Sequence, residues 1–438
     1  MVVVSNKDSG PSIPLNPIKA IIQAALEAAD PYRLVKENLE KKYDMLRIGD
    51  QSFSCNNNGR IIIVGLGKAS LQMTRAAEEV LGERINQGVC ICKHLPENEK
   101  FEQIFVFESS HPIPDVRSVR AAELLKGAVS NLSESDIVVF LLSGGGSSLA
   151  CLPAEGISLS DIQEITGLLL KNGASINEMN CVRKHLDEFK GGGFARMVQP
   201  ARMAVLVLSD VIGSPLDVIA SGPAIEDATT YKDALNVLQK YIPEKLIPDT
   251  VTKHMEKGRD NEDGVLQESA KGELKAVYHK VIGSNVLSVD AAAKKAREIG
   301  FSTQILTYAM QGEARMAGVE LLQKDYPRPF AVFAGGETTV TIHGTGLGGR
   351  NLEMALGAVG AISSLKKVVL VTLATDGEDG PTDAAGAVVS SEQKLDVAFV
   401  KQCLEANDSY NYFQKTGGLI MTGPTGTNVN DVAFVIGY

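Results

Sequence analysis

Tryptophan is absent from the 438 residues, and only 13 Phe and 10 Tyr are present. Platforms for single-stranded nucleic acid are built from such rings, so their scarcity argues against that class of ligand. Charge points the same way. Asp and Glu number 53 against 43 Lys and Arg, a net charge of -10, and an acidic surface disfavours both nucleic acid and anionic membrane. The six cysteines, Cys55, Cys90, Cys92, Cys151, Cys181 and Cys403, form no C-x-x-C pair and no zinc-type spacing. Buried thiols in a reducing compartment are the expectation. No apolar run reaches the ~18 residues of a membrane span. Val2–Val4 is too short for a signal-peptide core, so a cytoplasmic protein is expected, with neither membrane nor nucleic acid as partner. Several catalytic signatures are missing as well. There is no G-x-x-x-x-G-K-[ST] phosphate loop, no complete dinucleotide fingerprint, no G-x-S-x-G elbow and no His/Glu metal pair.

What the chain has in quantity is glycine, 42 residues of it, within an ordinary globular composition of 44% hydrophobic and 22% charged residues. Short β-branched runs at 61–66, 104–108, 137–142, 204–208, 277–282, 303–306, 330–334 and 368–374 alternate with helical periodicity. The helices fall at 70–81, 116–129, 159–171, 177–188, 286–299, 313–323, 351–361 and 392–406. An earlier helix is marked by Ile18, Ile21, Ile22, Ala25 and Leu26. Continuous apolar strands separated by crossover helices predict an α/β fold with mainly parallel, helix-covered sheets. The length suits two or three domains. A Pro-bearing, charged stretch at 241–275 marks the border, giving 1–245 and 246–438.

The glycines cluster at strand ends, where open α/β sheets bind ligands. Gly65-Leu66-Gly67-Lys68-Ala69-Ser70 joins a strand to a helix, where backbone N–H groups could meet an anion and Lys68 could meet a phosphoryl group. Ser143, Gly144, Gly145, Gly146, Ser147 and Ser148 follow the most apolar strand and offer many donors. Arg183 and His185 precede the run Gly191–Gly193; either an anion site or a plain helix end fits them. Asp210, Glu337 and Asp376 stand at strand termini, where carboxylates serve as Mg²⁺ ligands or proton acceptors, although a turn former is the plainer reading of each. Arg350 follows Gly344-Thr345-Gly346-Leu347-Gly348-Gly349 and opens a helix, against the dipole, which suits an anionic ligand or a merely solvated arginine. Gly423 to Asp431, with Thr427 and Asn428, reads as a polar loop; His111, in a rigid Pro-bounded loop, could face the cleft, although a structural role is the plainer reading.

Taken in order, Gly65–Ser70, Leu142–Ser148, Leu208-Ser209-Asp210-Val211, Ala220-Ser221-Gly222-Pro223, Gly335-Gly336-Glu337-Thr338, Gly348-Gly349-Arg350-Asn351, Thr375-Asp376-Gly377 and Gly423–Asn428 resemble the class II glycerate kinases, the glycerate 2-kinase family with a C-terminal MOFRL domain. The resemblance runs from about residue 15 to the end. It implies two α/β domains, Rossmann-like at the N-terminus, with the active site in a cleft between them. It also implies transfer of the ATP γ-phosphoryl, with Mg²⁺, to D-glycerate, giving 2-phosphoglycerate in many members. By motif, Lys68 and Arg350 match the family's lysine and arginine. On this reading Asp210 is base or metal ligand, Asp376 a metal ligand, and Gly67, the 143–148 loop, Arg183, Glu337, Asn351, Thr427 and Asn428 touch substrate. D-Glycerate and ATP are the expected partners, with a second copy of the chain the candidate protein partner. A hydroxypyruvate reductase using NAD(P)H and a non-catalytic phosphosugar-binding protein stand as alternatives.

Overall fold

The computed structural model describes residues 2–5, 14–55, 59–260, 272–323 and 326–438. The stretch 261–271 of the expected border lies outside the described residues. The chain forms two compact units. One contains residues 31–282; the other joins residues 1–30 to residues 283–438. Its parting points differ from 245/246, because the opening helix Leu15–Ala28 buries Ile18, Ile21, Ile22 and Ala25 against Val289, Ala292, Ala293 and Ala296 of the helix Asn285–Glu298. The periodicity at Ile18–Ala25 shows an apolar stripe, but not which distant stripe it meets.

In the 31–282 unit, six strands lie side by side: Ile61–Leu66, Gln87–Cys92, Ile104–Glu108, Ile137–Ser143, Arg202–Leu208 and Val277–Gly283. Counted along the chain, their spatial order is 3-2-1-4-5-6, the doubly wound order of nucleotide-binding folds. The pairs among the first five are all parallel. Ile61–Leu66 and Ile137–Ser143 are buried along their whole length, as strands covered on both faces must be. A meander of Leu39–Lys42, Met45–Ile48 and Gln51–Ser54 precedes the sheet. The helices Leu159–Lys171, Ile176–His185, Tyr231–Tyr241 and Asp249–Asp260 share a core of their own around Ile165, Leu169, Val182 and Leu238.

The sheet of the other unit departs from expectation. Its seven strands run Val3–Val4, Leu419–Met421, Gly386–Ser390, Val368–Ala374, Asp431–Gly437, Phe330–Gly336, Ser302–Met310, and only the last pair is parallel; the other pairs with an established register are antiparallel. Burial on both faces makes an antiparallel strand read as a parallel one. Val432, Phe434 and Ile436 point to the side covered by the opening helix, while Ala433 and Val435 face the helices Ala314–Glu320 and Arg350–Ile362. With no exposed face there is no alternation for the sequence to show.

Candidate functional site

In a 3-2-1-4-5-6 sheet the strand order reverses between the first and fourth strands, and a crevice opens at their carboxyl ends. Here those ends carry Gly67-Lys68 and Ser143–Ser148. The two loops divide the work. Lys68 N donates to Gly144 O at 2.9 Å, Ala69 N to Ser143 Oγ at 3.0 Å, and Gly67 N to Ile91 O at 3.3 Å. The first loop therefore uses its own amides to brace the second and is no anion cradle. Gly67, at φ 132°, has no room for a β-carbon beside Ser143.

The second loop is different. Among the described residues no acceptor takes the N–H of Gly145, Gly146 or Ser147, so three successive donors stay open at the switch point. A β-carbon on Gly144 would collide with the Asp210 carboxylate, which places that carboxylate against the loop. One on Gly145, at φ 85°, would fall 3.1 Å from both Lys68 Cγ and His111 Cδ2. No carboxylate or carbonyl among the described residues pairs with the Lys68 ammonium, a half-buried cation left available to a ligand. Ser147 Oγ lies 2.8 Å from Ser221 Oγ, whose hydroxyl donates to Asn180 Oδ1 at 2.9 Å. Ala220 and Ser221 adopt φ of 52° and 59°, a conformation that persists in L-residues only where surroundings enforce it. Gly191 N and Gly192 N do so by donating to Ser221 O (3.1 Å) and Gly222 O (2.8 Å).

That last contact corrects the reading of Gly191–Gly193. Its amides serve the backbone, and it sits beyond Leu186, the residue that ends Ile176–His185, so it is neither an anion loop nor that helix's cap. His185 is buried, its Nδ1 2.8 Å from Cys181 O and its ring against Tyr231. Arg183 is half-buried and its guanidinium has no ion-pair partner among the described residues; burial lowers its pKa from the usual value. All six cysteines are buried and unpaired, and burial pushes Cys90 up to about 11 and Cys151 up to about 12, which leaves no reactive thiolate there.

In the other unit, the strand Asp431–Gly437 runs antiparallel between Phe330–Gly336 and Val368–Ala374, so its start lies level with their ends: Asp431 faces Gly336 and Ala374. Arg350, first residue of Arg350–Ile362, pairs in a fork with Asp431, Nε to Oδ2 at 2.5 Å and Nη2 to Oδ1 at 3.0 Å. Its Nη1 reaches Glu337 Oε1 at 2.6 Å, and Asn430 Nδ2 donates to Glu337 Oε2 at 2.9 Å. Burial alone would lower the Arg350 guanidinium, but the Asp431 and Glu337 carboxylates hold it above its ordinary value. Burial pushes the Asp431 carboxyl up to about 6 against the pull of Arg350. Asp379 accepts from Asn351 N (3.0 Å), Asn351 Nδ2 (3.2 Å) and Leu352 N (2.7 Å), so a remote carboxylate caps the helix that carries Arg350.

Several expected ligands prove to be braces in this unit. Asn351 is fully buried on Asp379. The Thr427 hydroxyl donates to Ala29 O at 2.6 Å, and Asn428 Oδ1 accepts from Asn430 N at 3.1 Å in a local turn. The glycines of 344–349 permit close packing: β-carbons there would collide with the backbone or side chains of Ala406, Asp408, Ser409 and Asp379, and Gly344 N and Gly346 N donate to Asn407 Oδ1 and Ala406 O. Asp376 stands half-buried, its Oδ1 accepting from Glu378 N at 3.3 Å. Among the described residues no group of three His, Cys, Asp or Glu side chains is disposed to hold a metal ion, and no helix is long and apolar enough to cross a membrane.

Family models match along both parts of the chain: a domain of unknown function, DUF4147, over residues 17–256, and the MOFRL family over residues 330–431. The D-glycerate 2-kinase of Thermotoga maritima is 43% identical over 94% of this chain and 95% of its own length. The chain belongs to the class II glycerate kinase family. It is accordingly a kinase. The glycerate 2-kinase of Pyrococcus horikoshii is 40% identical, covering 95% of this chain and 96% of its own. A crystal structure of a Thermotoga maritima glycerate kinase matches with a TM-score of 0.84 at 42% identity, covering 97% of this chain and 99% of that one. Motif reasoning reads Asp431 only as the end of a polar loop and gives Asp379 no role of its own. Asp431 opens the run Asp431-Val432-Ala433-Phe434-Val435-Ile436-Gly437, a readable buried strand with a carboxylate at its start; nothing local marks Asp379 as a helix cap.

Proposed function

We propose that the chain phosphorylates D-glycerate at the 2-hydroxyl, with ATP as donor and Mg²⁺ as cofactor. The observation that carries this reading is the unpaired Lys68 beside the open amides of Gly145, Gly146 and Ser147, with Asp210 against the same loop. Phosphoryl transfer needs positioning and charge neutralisation more than a strong nucleophile. Backbone donors and a lysine hold oxyanion substrates in place, while a carboxylate accepts the proton of the attacking hydroxyl. Asp210 is suited to that acceptor role. Arg183 offers a second unpaired cation for anionic groups; Arg350, oriented by its ion pairs with Asp431 and Glu337, is a further basic group. Mg²⁺ asks for one or two carboxylates and completes its shell with phosphate oxygens and water. Asp210 and Asp376 are each a candidate carboxylate of that kind; an ion held by either would neutralise charge on the transferring phosphates.

The test is turnover of ATP and D-glycerate with Mg²⁺, the product passed to enolase without a mutase. An enolase signal is expected. ADP release without that signal would move the product to the 3-position, and no ADP release would overturn the kinase assignment to glycerate. Lys68→Ala should lower kcat/KM by at least ~10²-fold while leaving the melting temperature unchanged, the scale of a lost charge contact at a transition state.

A further inference from the structure

The loop 110–115 carries a histidine that the reading above leaves without a task. His111 lies with Lys68 against Gly145: a β-carbon on that glycine would be 3.1 Å from His111 Cδ2 and 3.2 Å from its Nε2. Neither ring nitrogen has a hydrogen-bond partner among the described residues, although the ring is half-buried. Everything around it is fixed. Ser148 Oγ donates to Pro112 O at 2.6 Å, Ser110 Oγ to Ile113 O at 2.8 Å, and Gln163 Nε2 to Pro114 O at 2.7 Å. Asp115 then caps the helix Val116–Ala128 through Arg117 N at 2.8 Å. A braced loop thus presents an unsatisfied imidazole to a glycine loop whose amides are open.

We propose that His111 is a substrate-contacting residue, donating a hydrogen bond to the carboxylate of the hydroxy-acid substrate held at Gly145–Ser147 and Lys68. This rests on the glycerate kinase reading and assigns which substrate the 143–148 loop takes. The neighbouring groups decide between the two. Lys68 supplies a cation for a carboxylate, and the Asp210 carboxylate lies against the same loop, where a substrate hydroxyl can give up its proton. A hydroxy acid anchored by its carboxylate also brings a hydroxyl toward Asp210, the proton acceptor. Burial, with Lys68 and Lys93 nearby, pushes the His111 pKa down to about 4, so the ring is a neutral donor that adds no competing charge at neutral pH.

Steady-state kinetics with each substrate varied in turn test the assignment. His111→Ala should raise KM for D-glycerate by roughly 10- to 100-fold, the range of one hydrogen bond to a charged group. KM for ATP should stay within about twofold. His111→Gln, which keeps an N–H donor at similar reach, should recover part of the loss. Should the Ala variant fail to fold, judged by circular dichroism, the Gln variant alone still reports through its glycerate KM. A rise in KM for ATP with KM for glycerate unchanged would overturn the proposal, as would wild-type kinetics in both variants. Calorimetric titration with D-glycerate alone separates this from the kinase reading. Binding that His111→Ala abolishes supports the contact even if no ADP is formed, and the same affinity in both proteins, or none in either, sinks it.

Discussion

At the residue scale, the two cations matched to the family by motif stand in opposite electrostatic states. Lys68 is unpaired, whereas Arg350 is committed to Asp431 and Glu337. Their alanine variants should therefore fail differently. Arg350→Ala leaves the fully buried Asp431 without its counter-ion, which costs on the order of 3 kcal/mol, so urea denaturation should show a loss of stability along with the loss of turnover. Adding Asp431→Asn should restore most of the stability and none of the activity; recovery of both would make Arg350 a structural residue only. His111 carries a pH signature. Its folded pKa of about 4 lies below the ordinary value of 6.5, so between these values the unfolded chain binds more protons and stability falls as pH drops from 6.5 to 4. His111→Gln should flatten that part of the stability profile, measured by melting temperature across pH. Lys68 stands out in the sequence as a lysine after a strand–glycine turn, although a plain strand–helix turn explains that pattern equally well. The partners of Arg350 do not stand out there, since Asp431 is 81 positions away.

At the scale of elements, the glycine runs show what a motif does not say. Runs at 67, 144–146, 191–193 and 344–349 look equivalent in sequence, yet the amides of Gly67, Gly191–Gly193, Gly344 and Gly346 go to protein acceptors, whereas those of Gly145–Ser147 meet none among the described residues. The others trade their missing side chains for close backbone packing. Which use applies depends on whether another segment arrives at van der Waals distance, and that is a property of the fold. The helix Arg350–Ile362 makes the same point at its N-terminus, where Gly349 supplies no capping side chain and Asp379 does so from a distant turn. Asp379→Ala should cost roughly 1–2 kcal/mol, the value of an N-cap, and should also lower kcat by unseating Arg350. A stability loss with full kcat in the folded protein would separate the cap from the chemistry. Element positions were otherwise readable. Helices at Ser70–Leu81 and Leu159–Lys171 match their periodicity to the residue. The strand Asp431–Gly437 was overlooked between glycine-rich loop and chain end.

For the whole molecule, the main departure from the sequence reading is the company kept by residues 1–30. They complete the C-terminal unit, through the helix Leu15–Ala28 and the pairing of Val3–Val4 with Leu419–Met421. A fragment of residues 31–282 should fold alone and melt cooperatively. A fragment of residues 283–438 should not, because it exposes the apolar face around Phe333, Val371 and Phe434; calorimetry of the two fragments, with residues 1–30 fused back onto the second as control, decides this. By itself the sequence determined the α/β class, the absence of a C-x-x-C thiol pair and the loops at the ends of Ile61–Leu66 and Ile137–Ser143. Those follow from local periodicity, chain order and residue chemistry. Only the tertiary structure decided the antiparallel sheet, the discontinuous unit, the Arg350–Asp431 fork and the loop whose donors remain open. Each of these depends on which distant segments meet, and hydrophobic pattern specifies that a face is buried without naming what buries it.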